Sequence, residues 1–163
     1  MEFKYRTLIN QHKRQVYSLA MHMLADASEA EDVVQEAFMR LWRNIDKLDA
    51  DDAKPWLLHV TRNVAIDFLR KRKPTQEMEH EPACERIEQT PYGSVAKSQL
   101  SYWLQKSINS LKEPHKSLIH MADLQQLSIK EIATAMSLSE NQVKVYIHRA
   151  RKQLRGLLQE VEL

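Results

Sequence analysis

Apolar residues recur at helical spacing along almost all of this 163-residue chain, and no stretch alternates in the every-second-residue manner of a strand. The pattern predicts an all-α protein. Phe3, Leu8, Ile9, Val16, Leu19, Ala20, Met23 and Leu24 form helical stripes that end at Asp26-Ala27. Ser28-Glu29-Ala30-Glu31 then reads as a capping box, in which a serine caps the helix and a glutamate three residues on reaches back. The helix it opens carries Val33, Val34, Ala37, Phe38, Leu41, Trp42 and Ile45. Residues 48–54 (LDADDAK) read as an acidic loop, and Pro55 suits the first turn of a long helix ending near Arg72.

Residues 73–93 break the pattern with three prolines, five acids and few apolar residues, the composition of a flexible linker. Helical spacing resumes from about Ser94 through Leu100, Trp103, Leu104, Ile108 and Leu111. Pro114 breaks it and opens a further helix with Leu118, Ile119, Met121 and Ala122. The expected organisation is two small helical domains, 1–72 and 94–163, joined by the linker 73–93.

Residues 128–155, SIKEIATAMSLSENQVKVYIHRARKQLR, hold two more capping boxes, Ser128 to Glu131 and Ser139 to Gln142, about eleven residues apart. Ser137-Leu138 makes a tight corner between a short helix and a longer one, and Ile132, Ala133, Leu138, Val143 and Ile147 can share one core. This is the layout of a helix-turn-helix, whose second helix enters the major groove of DNA. On that helix Val143, Ile147, Ala150, Leu154 and Leu157 lie inward, leaving Gln142, Lys144, Val145, His148, Arg149, Arg151 and Lys152 outside or on the flanks. A face packed only for stability usually mixes both signs at i,i+4, but here no acid occurs between Glu140 and Glu160. Basic side chains there would meet phosphates, longer polar ones base edges, and Val145 a thymine methyl.

The net charge is only +2, so local distribution says more than the total. Residues 1–72 carry 12 basic and 11 acidic side chains, 73–99 carry 3 and 5, and 100–163 carry 9 and 6. Two basic clusters around an acidic middle suggest two contacts with a polyanion. A lone cysteine, Cys84, excludes an internal disulfide and fits a reducing compartment. No signal-like or membrane-spanning apolar run is present, so a cytoplasmic protein without membrane insertion is expected. No phosphate-cradling loop or nucleophile motif points to an enzyme, and no catalytic residue or cofactor is expected. The pairs His80/Cys84 and His115/His120 do not make the four-ligand set a zinc site wants, so no metal is expected either.

Three segments together carry a resemblance: AEDVVQEAFMRLW (30–42), PWLLHVTRNVAIDFLRKRK (55–73) and LSIKEIATAMSLSENQVKVYIHRARKQLR (127–155). In order and spacing they resemble the extracytoplasmic-function (ECF) group of the sigma-70 family, bacterial initiation factors of RNA polymerase. The resemblance implies a domain for core binding and the promoter −10 element, a linker, and a domain for the −35 element. It places the surface for the polymerase β′ clamp helices on Asp32, Gln35, Glu36 and Arg40. It places −10 contacts on the loop 48–54 and the helix from Pro55, with Asn63 next to a flipped base and Lys54, Trp56, Arg62, Asp67, Arg70 and Lys71 as neighbours. Trp56 and Phe68 have the spacing of core aromatics as well. The −35 reading positions fall on Gln142, Lys144, Val145, His148 and Arg149, and Ser128, Lys130, Arg151 and Lys152 complete the candidate set.

The chain departs from the family where a glycine-threonine is usual (Asn141-Gln142) and where a serine-arginine is usual (Val145-Tyr146). The implied partners are core RNA polymerase, through its β′ clamp helices and β subunit, and promoter DNA. The family usually also has an anti-sigma factor, although no residue here points to one. No obligate homo-oligomer is expected. A dimeric helix-turn-helix regulator acting without polymerase is the alternative, and residues 28–73 count against it.

Overall fold

The computed structural model describes residues 1–72 and 94–161, with the backbone alone at 94–98. The expected linker 73–93, including Cys84, lies outside the described residues. Helix α1 (Glu2–Leu24) buries Leu8, Val16, Leu19, Ala20, Met23 and Leu24. Phe3 is off that stripe and 84% exposed. The helix closes on Ala25 in the left-handed region (φ 52°), and the Ala25 N–H returns to the Met21 carbonyl. Arg72 donates to the free Leu24 carbonyl (2.8 Å) and pairs with Glu29, so the end of α1 is tied to two later helices.

Helix α2 (Ala27–Asn44) begins two residues earlier than a Ser28 cap would set it. Its cap is Asp26, whose carboxylate accepts from the Glu29 N–H at 2.9 Å. An ionised cap at the positive end of the helix is favoured over a hydroxyl by the helix dipole. A 3₁₀ turn, Ile45–Lys47, follows, and Lys4 donates to the Ile45 and Leu48 carbonyls (3.0 and 2.6 Å), satisfying the end of this segment.

The acidic stretch 48–54 is mostly helix, because α3 spans Ala50–Lys71. Asp51 and Asp52 sit in its first turn, where negative charge meets the helix dipole favourably. Pro55 therefore lies inside the helix rather than at its start; it is buried, and the N–H it lacks would have met the exposed Asp51 residue.

In the C-terminal half, α4 (Ser94–Ser110) is followed by α5 (His115–Ile119), which opens into a wider turn at His120–Leu124 closed by Gln125 N–H to the His120 carbonyl at 2.9 Å. Helices α6 (Ile129–Met136) and α7 (Glu140–Gln159) form the predicted helix-turn-helix.

Helices α1, α2 and α3 pack mutually, and α7 packs on α4, α5 and α6. The two halves are also in contact. Helix α6 lies along α3, and one core runs from Leu19, Leu41 and Leu57 through Leu118 and Met121 to Ile132, Ala135, Val143 and Ile147. A smaller cluster, Ile108, Leu111, Ile119 and Ala150, sits beneath α4.

With only two glycines in the chain, left-handed corners fall on ordinary residues, at Ala25, Gln126 and Ser137. The Ala25→Gly variant is expected to raise the unfolding free energy in urea by about 0.5–1 kcal/mol, because the left-handed strain of alanine exceeds the extra entropy of unfolded glycine.

Candidate nucleic-acid interface

The helix-turn-helix is built by its caps. Ser139 accepts from the Gln142 N–H (3.1 Å), while Gln142 Oε1 accepts from the Ser139 N–H (3.0 Å), a complete capping box. The corner is Ser137 at φ 55°, with the Leu138 N–H returning to the Ala133 carbonyl at 3.0 Å. Small Ala133 and buried Ile132, Val143 and Ile147 hold the two helices together as the apolar pattern predicts.

The expected box at Ser128 forms only in part. The Glu131 N–H donates to Ser128 Oγ (3.1 Å), but the Glu131 carboxylate takes the Ser128 hydroxyl (3.2 Å) and pairs with Lys54 of α3 at 2.8 Å. Burial pushes the Glu131 carboxyl up, but the Lys54 ammonium and the Ser128 contacts outweigh it and hold the group below its ordinary value.

On α7, Gln142, Lys144, Val145, His148, Arg149, Arg151 and Lys152 are all exposed, and Val143, Ile147 and Ala150 are buried. Two of the exposed residues are less free than the pattern implied. The capping box engages Gln142 Oε1, leaving its amide NH2 for another partner. Arg151 is held by Asp123 through two bonds, Nη2 to Oδ1 at 2.6 Å and Nε to Oδ2 at 3.2 Å. Hydrogen bonding to Asp123 raises the Arg151 pKa further. The basic face thus has a counter-ion, from a segment 28 residues earlier that helical periodicity could not bring forward. Ser128 and Lys130 are exposed at the start of α6.

The candidate −10 residues all lie on α3. Asp67, Arg70 and Lys71 are exposed, and Lys54, Trp56, Arg62 and Asn63 are half-buried. Trp56 and Phe68 both pack against the core. The Asn63 amide is already engaged. Its Nδ2 donates to His59 Nε2 (3.0 Å), and His59 Nδ1 donates to the Ala135 carbonyl of α6 (2.8 Å). The carbonyl requires the proton on Nδ1, which leaves Nε2 as an acceptor and so orients the Asn63 amide. His59 and Asp123 are the residues sequence reasoning missed. Both are single polar residues whose partners lie far along the chain.

The α2 candidates share one outer face. Asp32 and Gln35 are exposed, and Glu36 pairs with Arg40 at 2.8 Å. Met39 and Trp42, 50% and 45% exposed, flank them and add an apolar component, although the apolar pattern places Trp42 among the packed positions. Trp42 stands edge-on to Tyr5, with ring centroids 4.9 Å apart.

A family profile described as Sigma-70 region 2 matches residues 8–75, and one described as Sigma-70, region 4 matches residues 101–154. The ECF RNA polymerase sigma factor SigW of Bacillus subtilis is 31% identical, over 94% of this chain and 88% of that protein. SigM of the same organism is 29% identical, over 87% of each. Among solved structures, CnrH in complex with the cytosolic domain of CnrY superposes with a TM-score of 0.72 at 21% identity, covering 97% of this chain and 89% of that one. RpoE in complex with the anti-sigma factor NepR from Bartonella quintana gives 0.71 at 22%, covering 97% and 98%. These two structures show a shared fold.

The fold is that of a sigma-70-type factor with its region 2 and region 4 helices. Within that class the chain belongs to the ECF RNA polymerase sigma factors, and its function is transcription initiation. The region 2 match leaves the dimeric regulator without support.

The Lys54–Glu131 contact is half-exposed at both ends (29% and 32%), so it contributes modestly. A double-mutant cycle of Lys54→Met and Glu131→Gln, read by urea unfolding, is expected to give a coupling of about 0.2–1 kcal/mol.

Proposed function

We propose that residues 1–72 bind core polymerase and capture the −10 element, that residues 94–163 read the −35 element, and that residues 73–93 tether the two. The observation that carries this reading is the exposed face of α7, basic and without an acid after Glu140, on a capped helix-turn-helix, in a chain matched by both sigma-70 regions. On α2, Asp32, Gln35, Glu36 and Arg40 meet the polymerase β′ clamp helices, with Met39 and Trp42 supplying apolar contact. On α3, Asn63 takes the edge of an unstacked base, with Trp56 and Arg62 beside it. Lys54, Arg70 and Lys71 neutralise backbone phosphates, and Asp67 orients Arg70. On α7, Lys144, His148 and Arg149 face the −35 groove with Gln142 and Val145, while Arg151 and Lys152, with Ser128 and Lys130 at the start of α6, contact the flanking phosphates.

The mechanism is anchoring followed by trapping. Each DNA contact alone is modest. On polymerase the two units are held apart at a fixed separation, so the second contact forms at high effective concentration. Binding a base only when it is unstacked biases the duplex toward the melted state. The two promoter elements, some 25 base pairs apart by their names, lie roughly 85 Å from each other along B-DNA. A packed 163-residue globule is only about 40 Å across. Separation of α6 from α3 is therefore a required step.

The protein works in the bacterial cytoplasm, with polymerase and promoter. In support, no helix among the described residues is long and apolar enough to cross a membrane. CnrH and RpoE were each solved with a protein partner. An anti-sigma factor is the corresponding partner here, and the apolar α2 face with Met39 and Trp42 is the surface it would cover.

Run-off transcription with core enzyme tests the reading: promoter-dependent transcripts are expected only when the protein is added. Asn63→Ala is expected to lower open-complex formation more than about tenfold, leaving −35 duplex affinity unchanged. Lys144→Ala is expected to weaken −35 binding by about 1–3 kcal/mol. Transcription that ignores the promoter sequence would sink the proposal.

A further inference from the structure

The interface between the halves has a second contact, away from the α3–α6 seam. Near the end of α1, the His22 ring stacks on the His120 ring, centroids 4.2 Å apart and planes within 18°. Both residues are buried, at 8% and 4% exposure. His22 Nε2 donates to the Lys116 carbonyl at 3.3 Å, and His120 Nε2 lies 3.4 Å from Ser18 Oγ of α1. His120 Nδ1 is buried with no hydrogen-bond partner. A proton placed there would create both a charge and an N–H without an acceptor.

The charged groups around the pair already balance. Lys116 comes from α5 and Arg72 from the end of α3. Arg72 is paired to Glu29 of α2, and Glu113 lies beside Lys116 and accepts from the Ser117 hydroxyl at 2.8 Å. Neither carboxylate is bonded to an imidazole among the described contacts. Midway along α1, His12 lies near Lys54, which is committed to Glu131.

We propose that the stacked His22–His120 pair is a proton-sensitive latch: while both rings are neutral it holds the −35 unit on the −10 unit, and their protonation releases it. The latch rests on this packing. Its consequence for promoter use rests on the sigma-factor reading, because the closed form ties Asn63 and Lys54 to α6 through His59 and Glu131.

The direction follows from burial, which pushes His22 down to about 3 and His120 to about 4 from the ordinary 6.5, with Lys116 adding to both and His120 to His22. In the separated form the rings face water and return to the ordinary value. Above about pH 6.5 neither form binds these protons and the closed form is fully favoured. As the pH falls below that, the open form takes them up first, and closure weakens down to the closed-state values. Burial lowers His12 and Lys116 as well, with the same sign. Glu131, an acid held below its ordinary 4.5, changes only at still lower pH. Each histidine can shift the opening equilibrium up to about tenfold per pH unit, so the pair gives on the order of a thousandfold between about pH 7.5 and about pH 5.

The test uses the full chain without polymerase, so its failure would leave the sigma reading untouched. Small-angle scattering is recorded at about pH 7.5 and about pH 5, with helicity followed by circular dichroism. The radius of gyration is expected to rise from about 15 Å to above roughly 20 Å with helicity unchanged. The His22→Gln/His120→Phe double variant keeps a donor to Lys116 and an aromatic ring at 120, and is expected to stay compact at both pH values. NMR of the wild-type imidazoles provides a readout that does not depend on the variant folding: both rings are expected to titrate together with the expansion. The proposal is overturned if the wild type is already extended at the higher pH, does not expand, or loses helicity as it expands. It is equally overturned if a folded double variant opens like the wild type, or if either ring titrates while the molecule remains compact.

Discussion

The seating of α6 against α3 is the contact on which the rest of the arrangement depends. It merges what would be two small cores into one, from Leu19 and Leu57 to Ile132 and Val143. A unit of about 70 residues buries a smaller fraction of its surface than a chain of 160, so each half gains stability from the other. That gain is reversible only if the seam is not purely apolar. Its polar members are a Lys54–Glu131 ion pair, a histidine-to-carbonyl bond from His59 to Ala135, and a Gln125 amide on the Gln15 carbonyl at 2.8 Å. Each of these groups can exchange its partner for water when the units part, which limits the cost of opening.

The same geometry leaves the candidate DNA-facing residues unequally exposed. Asn63 and Lys54 point toward α6, while the α7 face remains outside. The closed molecule thus leaves the α7 face open and partly covers the proposed −10 residues. The α2 face, with the Glu36–Arg40 pair between Met39 and Trp42, is unaffected by closure and stays open to a protein partner.

The helices were legible in the sequence because amphipathic periodicity and caps act within a few residues. The full capping box at Ser139 and the buried Val143–Ile147–Ala150 stripe are local consequences of residue order. Local signals compete at three places. Asp26 outcompeted Ser28 as a cap because a carboxylate meets the helix dipole better. The acidic segment before Pro55 joined α3 because Asp51 and Asp52 sit well in a first turn, and the proline is tolerated where its missing hydrogen bond faces solvent. Ser128 formed half a box because Glu131 found a cation outside its own helix.

Residue order thus accounts for the helical class, the helix-turn-helix and the outward basic face of α7, since each depends on neighbours three to eleven positions away. It could not reveal that Arg151 is held by Asp123, that Asn63 is oriented by His59, or that His22 stacks on His120, 98 positions further along the chain. Those pairings exist only once α6 is seated on α3 and the turn at His120 is set against α1. Burial and partner choice are properties of that packing, because the free energy of a polar side chain is set by what surrounds it in space rather than by its place in the chain.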